Sequence, residues 1–170
     1  MSAPGAEKNP ADRSSCEIVI SRLFNAPRAL VFKMSTDPKH LVHWAIPKGF
    51  YPPIIDHVDA RAGGSLQMTM RCTDGNVYLS KWAFIEVDEP ARLVYDEVCD
   101  ENGRPFHRSR QTVEFTEHDG KTTLSVHGRI DIVPGRDPRW TLEIMKAGWA
   151  EGWGENFDLL EKYLATSPAP

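Results

Sequence analysis

The last third of the chain constrains the fold most. From Asp137-Pro138 to Leu164 it keeps one helical pattern of about 27 residues, a rod of roughly 40 Å at 1.5 Å rise per residue. The chain has 170 residues. A single domain of that size has a radius of gyration near ~15 Å, hence a diameter of about 40 Å. The helix therefore spans the molecule and needs an equally wide partner. Turning at about 100° per residue and counted from Trp140, the residues Leu142, Trp149, Trp153, Leu160 and Leu164 fall within about 60° of one another. Met145 and Phe157 flank that stripe, and Glu151 and Glu155 lie opposite. Gly148, Gly152 and Gly154 sit inside the helix, each costing about 1 kcal/mol relative to alanine. Their presence predicts close approach of a neighbour around Trp149 and Trp153, a kink, or a helix thinned where it covers a cavity.

The wide partner is a sheet. Glu17 to Phe24 reads as a strand. Asn25-Ala26-Pro27 then starts a helix, with Pro27 in the first turn, where its missing N–H is harmless. Leu30, Val31 and Met34 follow at helical spacing. Asp37-Pro38 opens a second short helix, Lys39 to Trp44, ended by Pro47-Lys48-Gly49. Ile54 to Ala60 is the next strand, and Gly63-Gly64 turns the chain into Ser65 to Arg71. There Leu66, Met68 and Met70 alternate with Gln67, Thr69 and Arg71, the pattern of a half-buried antiparallel strand. Asp74-Gly75, Asp88-Glu89-Pro90, Glu101-Asn102-Gly103 and Asp119-Gly120 are turn signals. They separate strands at Val77 to Val87, Leu93 to Val98, Ser109 to Thr116 and Thr122 to Ile132. The expected fold is α+β: an antiparallel sheet of six to seven strands with two short helices after the first strand and the long helix across it. Residues 15–166 are expected as one domain, with disordered tails at 1–14 and 167–170.

Composition narrows the partners. Twenty Lys and Arg against 24 Asp and Glu give a net charge of −4, which disfavours a nucleic-acid binder. No apolar run reaches the ~18 residues of a bilayer span, and the first residues carry neither basic nor apolar features of a signal peptide. The cysteines, Cys16, Cys72 and Cys99, are odd in number and far apart. They predict reduced thiols and a cytoplasmic setting.

Catalytic and metal motifs were sought by spacing. His40 and His43 stand three apart beside Asp37, but a lone His-x-x-His has no third ligand, and they read as helix-end surface histidines with no metal. No HExxH, GxSxG, P-loop or GxGxxG occurs. Polar strand residues that could serve as acid or base are Glu97, His107, Arg110 and His127. By parity Glu97 shares a face with Leu93 and Tyr95 and points inward. Unpaired there, its pKa would rise and it would be the candidate catalytic group; otherwise it pairs with Arg110 or meets water. His127 alternates away from Leu124 and Val126 and should face solvent. Trp44, Met68, Met70, Trp82, Phe84, Tyr95, Met145, Trp149 and Trp153 could line one apolar space fit for a lipid, an aromatic metabolite or a polyketide; the same residues could equally be plain core.

Phe24-Asn25-Ala26-Pro27, Thr36-Asp37-Pro38, Pro47-Lys48-Gly49, Gly63-Gly64, Pro90-Ala91-Arg92-Leu93-Val94, Val113-Glu114-Phe115 and Gly152-Trp153-Gly154-Glu155-Asn156 occur in this order. In that ordered set the chain resembles the Hsp90-ATPase-activator-like family of the START/polyketide-cyclase (Bet v 1-like) superfamily, over about residues 17 to 165. The resemblance implies a helix-grip fold, in which a curved sheet wraps the long helix around a hydrophobic cavity. Two departures stand out. His43-Trp44-Ala45-Ile46 replaces a paired aromatic, and Lys81-Trp82-Ala83 stands where glycine is frequent, so Trp82 is expected to narrow or reshape the cavity.

Three functions follow as expectations. The first is binding of a small hydrophobic molecule by a monomer or homodimer, with no cofactor, nucleic acid or membrane. The second is a cyclase, dehydratase or hydrolase acting on such a molecule. The third is a chaperone accessory of Hsp90-activator type. The activators proper carry a separate N-terminal domain, whereas only Met1 to Cys16 precede the first strand here.

Overall fold

The computed structural model describes residues 15–133 and 140–167. The tail expected at 1–14, residues 168–170 of the tail expected at 167–170, and Asp137-Pro138 lie outside the described residues. The long helix itself begins later than expected, at Leu142, with the Thr141 side chain as its N-cap. Strand β1 (Ser15–Phe24) leads into α1 (Arg28–Thr36) and α2 (Pro38–Trp44). Then come β2 (Ile54–Val58), β3 (Ser65–Arg71), β4 (Val77–Asp88), β5 (Arg92–Glu101), β6 (Arg104–His118) and β7 (Lys121–Ile132), and finally α3 (Leu142–Thr166). The strands form one antiparallel sheet in the order β1-β7-β6-β5-β4-β3-β2. A meander from β2 to β7 is thus closed by β1 pairing with the last strand. With α3 packed on this sheet, the architecture is the helix-grip α+β fold.

Turn chemistry sets the meander. The β5–β6 hairpin turns through Asn102 and Gly103, and the β6–β7 hairpin through Asp119 and Gly120, all four with positive φ. That is the requirement of the type I′ turn, whose twist matches the strands it joins. In α2, Asp37 accepts from the Lys39 backbone N–H at 2.9 Å with Pro38 in the first turn, so the aspartate–proline device works as its sequence implies. The α1 start differs. Pro27 is itself the N-cap in extended conformation, with no side-chain cap bond. At the other end of the chain Ser167, expected in the tail, caps α3 and donates its hydroxyl to the Tyr163 carbonyl at 2.8 Å.

The strand alternation survives in β3, where Leu66 and Met68 are buried and Met70 half-buried. Strand β2 stops at Val58, two residues before the expected end, whereas β5 and β6 run longer than their alternation suggests. Between β5 and β6 the register steps after Cys99: Cys99 pairs with His107 and Asp100 with Pro105. Phe106 is the extra residue of this bulge, and both Phe106 and His107 are buried. A bulge adds a residue and re-aims its neighbours.

Two apolar clusters hold α3 at its ends. The larger joins Phe24, Phe32, Met34, Leu41, Trp44, Phe115, Leu124, Phe157 and Leu160. Phe24 meets Phe157 edge-on at 5.6 Å between ring centres. On the rim, Arg22 pairs with Asp158. The smaller cluster joins Cys99, Phe106, Ile130 and Met145, with Trp140 and Trp149 packed against it. The helix turns its expected side to the sheet, with Leu160 inside the predicted stripe and Met145 and Phe157 flanking it on either side. Met145, Phe157 and Leu160 are its buried residues, while Trp149, Trp153 and Leu164 are half-buried. Glu155, expected on the outer side, is half-buried and accepts from the Lys48 backbone N–H at 2.7 Å, tying the helix to the loop after α2.

Candidate functional site

Between the two clusters the helix and sheet part to leave a cavity of about 380 Å³. A volume in this range suits a small organic ligand. Of the residues singled out from sequence, Trp44, Met68, Met70, Trp82, Tyr95, Met145, Trp149 and Trp153 border it, and so does Glu97. Phe84 does not. It is buried beyond the cavity, edge-on to both Trp82 and Tyr95. Parity assigns Phe84 the same face as Trp82, but not the same depth along the sheet.

Trp82 forms part of the wall. Its indole stacks on Tyr95 with ring centres 4.1 Å apart and planes 9° from parallel. Register explains the pairing, since Trp82 lies opposite Glu97 and Phe84 opposite Tyr95, which sets Trp82 and Tyr95 on a diagonal. On the helix side, Gly148 and Gly152 border the cavity. A Cβ at Gly148 or Gly154 would meet nothing within 4 Å, and one at Gly152 would meet only Pro47 at 3.9 Å. The close approach offered as one reason for these glycines is therefore not present. The helix is thin where it faces open space.

Buried polar residues gather around Glu97 in this apolar wall. Glu97 Oε1 accepts from the Ser80 hydroxyl at 2.5 Å, and Oε2 accepts from the Ser109 hydroxyl at 3.0 Å. Trp82 Nε1 donates to Ser80 Oγ at 2.9 Å, and Gln111 Nε2 donates to Ser109 Oγ at 3.1 Å. An indole N–H only donates, so the Ser80 oxygen must accept there and its proton is left for Glu97. The network thus supplies donors from both sides to one carboxylate. Burial pushes the Glu97 pKa up, but His107 and the two serine hydroxyls outweigh it and hold the group below its ordinary value. This corrects two expectations: Glu97 is neither unpaired with a raised pKa nor paired with Arg110. Arg110 points to the other face and grips Asp96 in two bonds of 2.7 and 2.8 Å.

His107 Nε2 lies 3.6 Å from Glu97 Oε2, and the ring meets Trp149 edge-on at 5.3 Å. At 3.6 Å the contact is too long for a hydrogen bond, and neither ring nitrogen has a hydrogen-bond partner among the described residues. Across the sheet, Gln111 faces Gly128, where a Cβ would sit 2.6 Å from the Gln111 carbonyl oxygen. The glycine makes room for the amide that orients Ser109. Sequence reading did not find Ser80, Ser109 or Gln111, because single polar residues at inward strand positions carry no spacing signal of their own. His127 faces solvent, as its alternation implies. His40 and His43 dock α2 on α3, where His40 Nδ1 bonds the Tyr163 hydroxyl at 2.9 Å and His43 stacks on the same ring.

A seven-stranded antiparallel sheet gripping a long helix around an apolar cavity defines a protein of the helix-grip class. The sequence matches the model of the Activator of Hsp90 ATPase homolog 1-like protein family over residues 25–165. The chain belongs to that family. Solved structures share the fold. A protein from Rhizobium leguminosarum is 22% identical with a TM-score of 0.75, over 90% of this chain and 96% of its own. One from Mycobacterium smegmatis is 24% identical with a TM-score of 0.71, over 93% and 95%. One from Chromobacterium violaceum is 23% identical with a TM-score of 0.69, over 85% and 96%. Comparison with curated proteins finds no match.

Proposed function

We propose that this protein binds a small, mostly apolar molecule in the cavity between α3 and the sheet, without catalysis being needed for its role. The observation that carries this reading is the cavity of about 380 Å³ walled by Met68, Met70, Trp82, Tyr95, Trp149 and Trp153. An apolar wall with a few converging polar groups is the usual build of a small-molecule site, the apolar part giving affinity and the polar part orientation. Here the orienting pole is the Glu97 network. No described helix is long and apolar enough to cross a membrane, and we place the protein in the cytoplasm, where thiols such as Cys16 and Cys72 persist. Titration with a panel of lipids, flavonoid-like aromatics and polyketides, followed by tryptophan fluorescence, tests the reading. Saturable quenching that is lost in Trp149→Ala supports it. No change with any member of the panel overturns it.

A second reading is favoured by one specific feature, the carboxylate of Glu97 beside the imidazole of His107 inside an apolar cavity. Such a pair can move a proton to or from a bound molecule, as a cyclase, dehydratase or hydrolase requires. Turnover of any panel member that falls in Glu97→Gln and in His107→Gln alike supports this reading.

A further inference from the structure

We propose that Glu97, Cys99 and His107 form a binding site for a divalent metal ion of zinc type on the wall of the cavity. The inference goes beyond ligand binding and rests on that reading only for what occupies the ion's remaining position. One donor atom from each residue lies within 4.8 Å of the others. All three side chains are buried, with exposures of 9%, 2% and 5%, and all three border the cavity.

The fold brings them together in three steps. Glu97 and Cys99 are two apart on β5 and so share a face. His107 on β6 lies directly opposite Cys99, and Ser109 directly opposite Glu97. The bulge at Phe106 immediately precedes His107, where such irregularities often re-aim a side chain beside a site.

The distances fit an ion. Donor atoms on a tetrahedral zinc stand about 3.3–3.8 Å apart, given bonds of about 2.0–2.3 Å. The 3.6 Å between His107 Nε2 and Glu97 Oε2 is too long for a hydrogen bond and has the length of one edge of that tetrahedron. A pair standing at the 4.8 Å limit would close by about 1.3 Å to reach a sulfur-to-nitrogen or sulfur-to-oxygen edge of about 3.5 Å. His107 is a buried imidazole with no hydrogen-bond partner on either nitrogen among the described residues, an arrangement proteins seldom leave unexplained. An ion on Nε2 supplies a partner. Thiolate, imidazole and carboxylate together suit zinc and its neighbours rather than magnesium or calcium. The carboxylate already has its outer support in the hydroxyls of Ser80 and Ser109, the kind of second layer that orients metal ligands. Three protein donors leave one position open on a four-coordinate ion, and all three donors stand on the cavity wall. A bound molecule bearing a phenolate, hydroxamate or carboxylate oxygen would complete the shell.

The test is titration of the full chain, stripped with a chelator, with Co²⁺. The expected result is a thiolate-to-cobalt band in the near ultraviolet with the visible bands of four-coordinate cobalt, saturating at one ion per chain and displaced by Zn²⁺. Cys99→Ser should remove the thiolate band. Glu97→Gln and His107→Gln should weaken binding more than Ser109→Ala, whose outer-layer role predicts a loss of about 10–100-fold. Cys16→Ser and Cys72→Ser should leave the spectrum unchanged. Should Cys99→Ser not fold, protection of Cys99 from alkylation by Zn²⁺ in the unaltered protein gives the same information. No band in the unaltered protein, a band that survives Cys99→Ser, or one lost in Cys16→Ser or Cys72→Ser overturns the site. An apolar dye titrated in parallel separates the two readings. Dye binding without cobalt binding removes the metal site alone, and cobalt binding without dye binding removes the ligand cavity alone.

Discussion

Ser80 and Glu97 are joined by a hydroxyl-to-carboxylate hydrogen bond of 2.5 Å inside the apolar wall of the cavity. Ser80 is fully buried, and its oxygen also accepts the Trp82 indole. Hydrogen bonds to a charged group contribute about 1.5–3 kcal/mol. Ser80→Ala should therefore lower stability by about that amount in denaturant titration, with the Glu97 pKa moving upward. A loss below ~0.5 kcal/mol would mean the network is not closed as described.

The direction of the Glu97 shift gives a pH dependence. Its folded pKa lies below the ordinary 4.5. The group's contribution is thus fully present above the unfolded value and is lost as pH falls through the folded value. In Glu97→Gln that part of the acid limb disappears. Unfolding measured from neutral pH downward, without added metal, should show the variant less stable at neutrality and losing less than the unaltered protein on acidification. Parallel curves would contradict the assignment.

The two halves of α3 should respond differently to truncation. Phe157 is fully buried against Phe24, and Phe157→Ala should destabilise by about 3–5 kcal/mol. Trp149 is half-buried on the cavity, and Trp149→Ala should lower stability clearly less while weakening ligand quenching. Thermal unfolding of the pair decides it; equal losses would mean that the N-terminal half of the helix is packed core.

Gly154 lies inside α3 with open space where a Cβ would stand. Gly154→Ala should raise stability by about 1 kcal/mol through helix propensity alone. A drop in melting temperature would show that the glycine serves backbone freedom that the static fold does not display.

How far the sequence alone reaches depends on which residues are asked. Met68 and Met70 were readable because alternation is local, and Asp37-Pro38 because a cap and its proline are adjacent. The inward aim of Glu97 followed from parity with Tyr95. Its partners did not, since Ser80 and Ser109 come from neighbouring strands and depend on register across two hairpins. The strand containing His107 was begun too late, because Pro105 and the bulge at Phe106 break the alternation just there. The Glu97–Cys99–His107 grouping is invisible to ligand spacing for the same reason. Phe84 shows the converse limit, as a side chain can share a face with the cavity wall and still lie outside it. The side that α3 turns to the sheet was legible because helical periodicity is local. Depth was not: Trp149 and Trp153 share that side with Leu160, yet they are only half-buried where the helix borders the cavity.

The most direct measurement is a crystal structure of the protein soaked with a small aromatic such as indole. The account predicts density for it between the stacked Trp82–Tyr95 pair and Trp149, with α3 in the same place. Trp82, Met70 and Trp149 found in mutual contact, closing the space and excluding the soaked molecule, would contradict it.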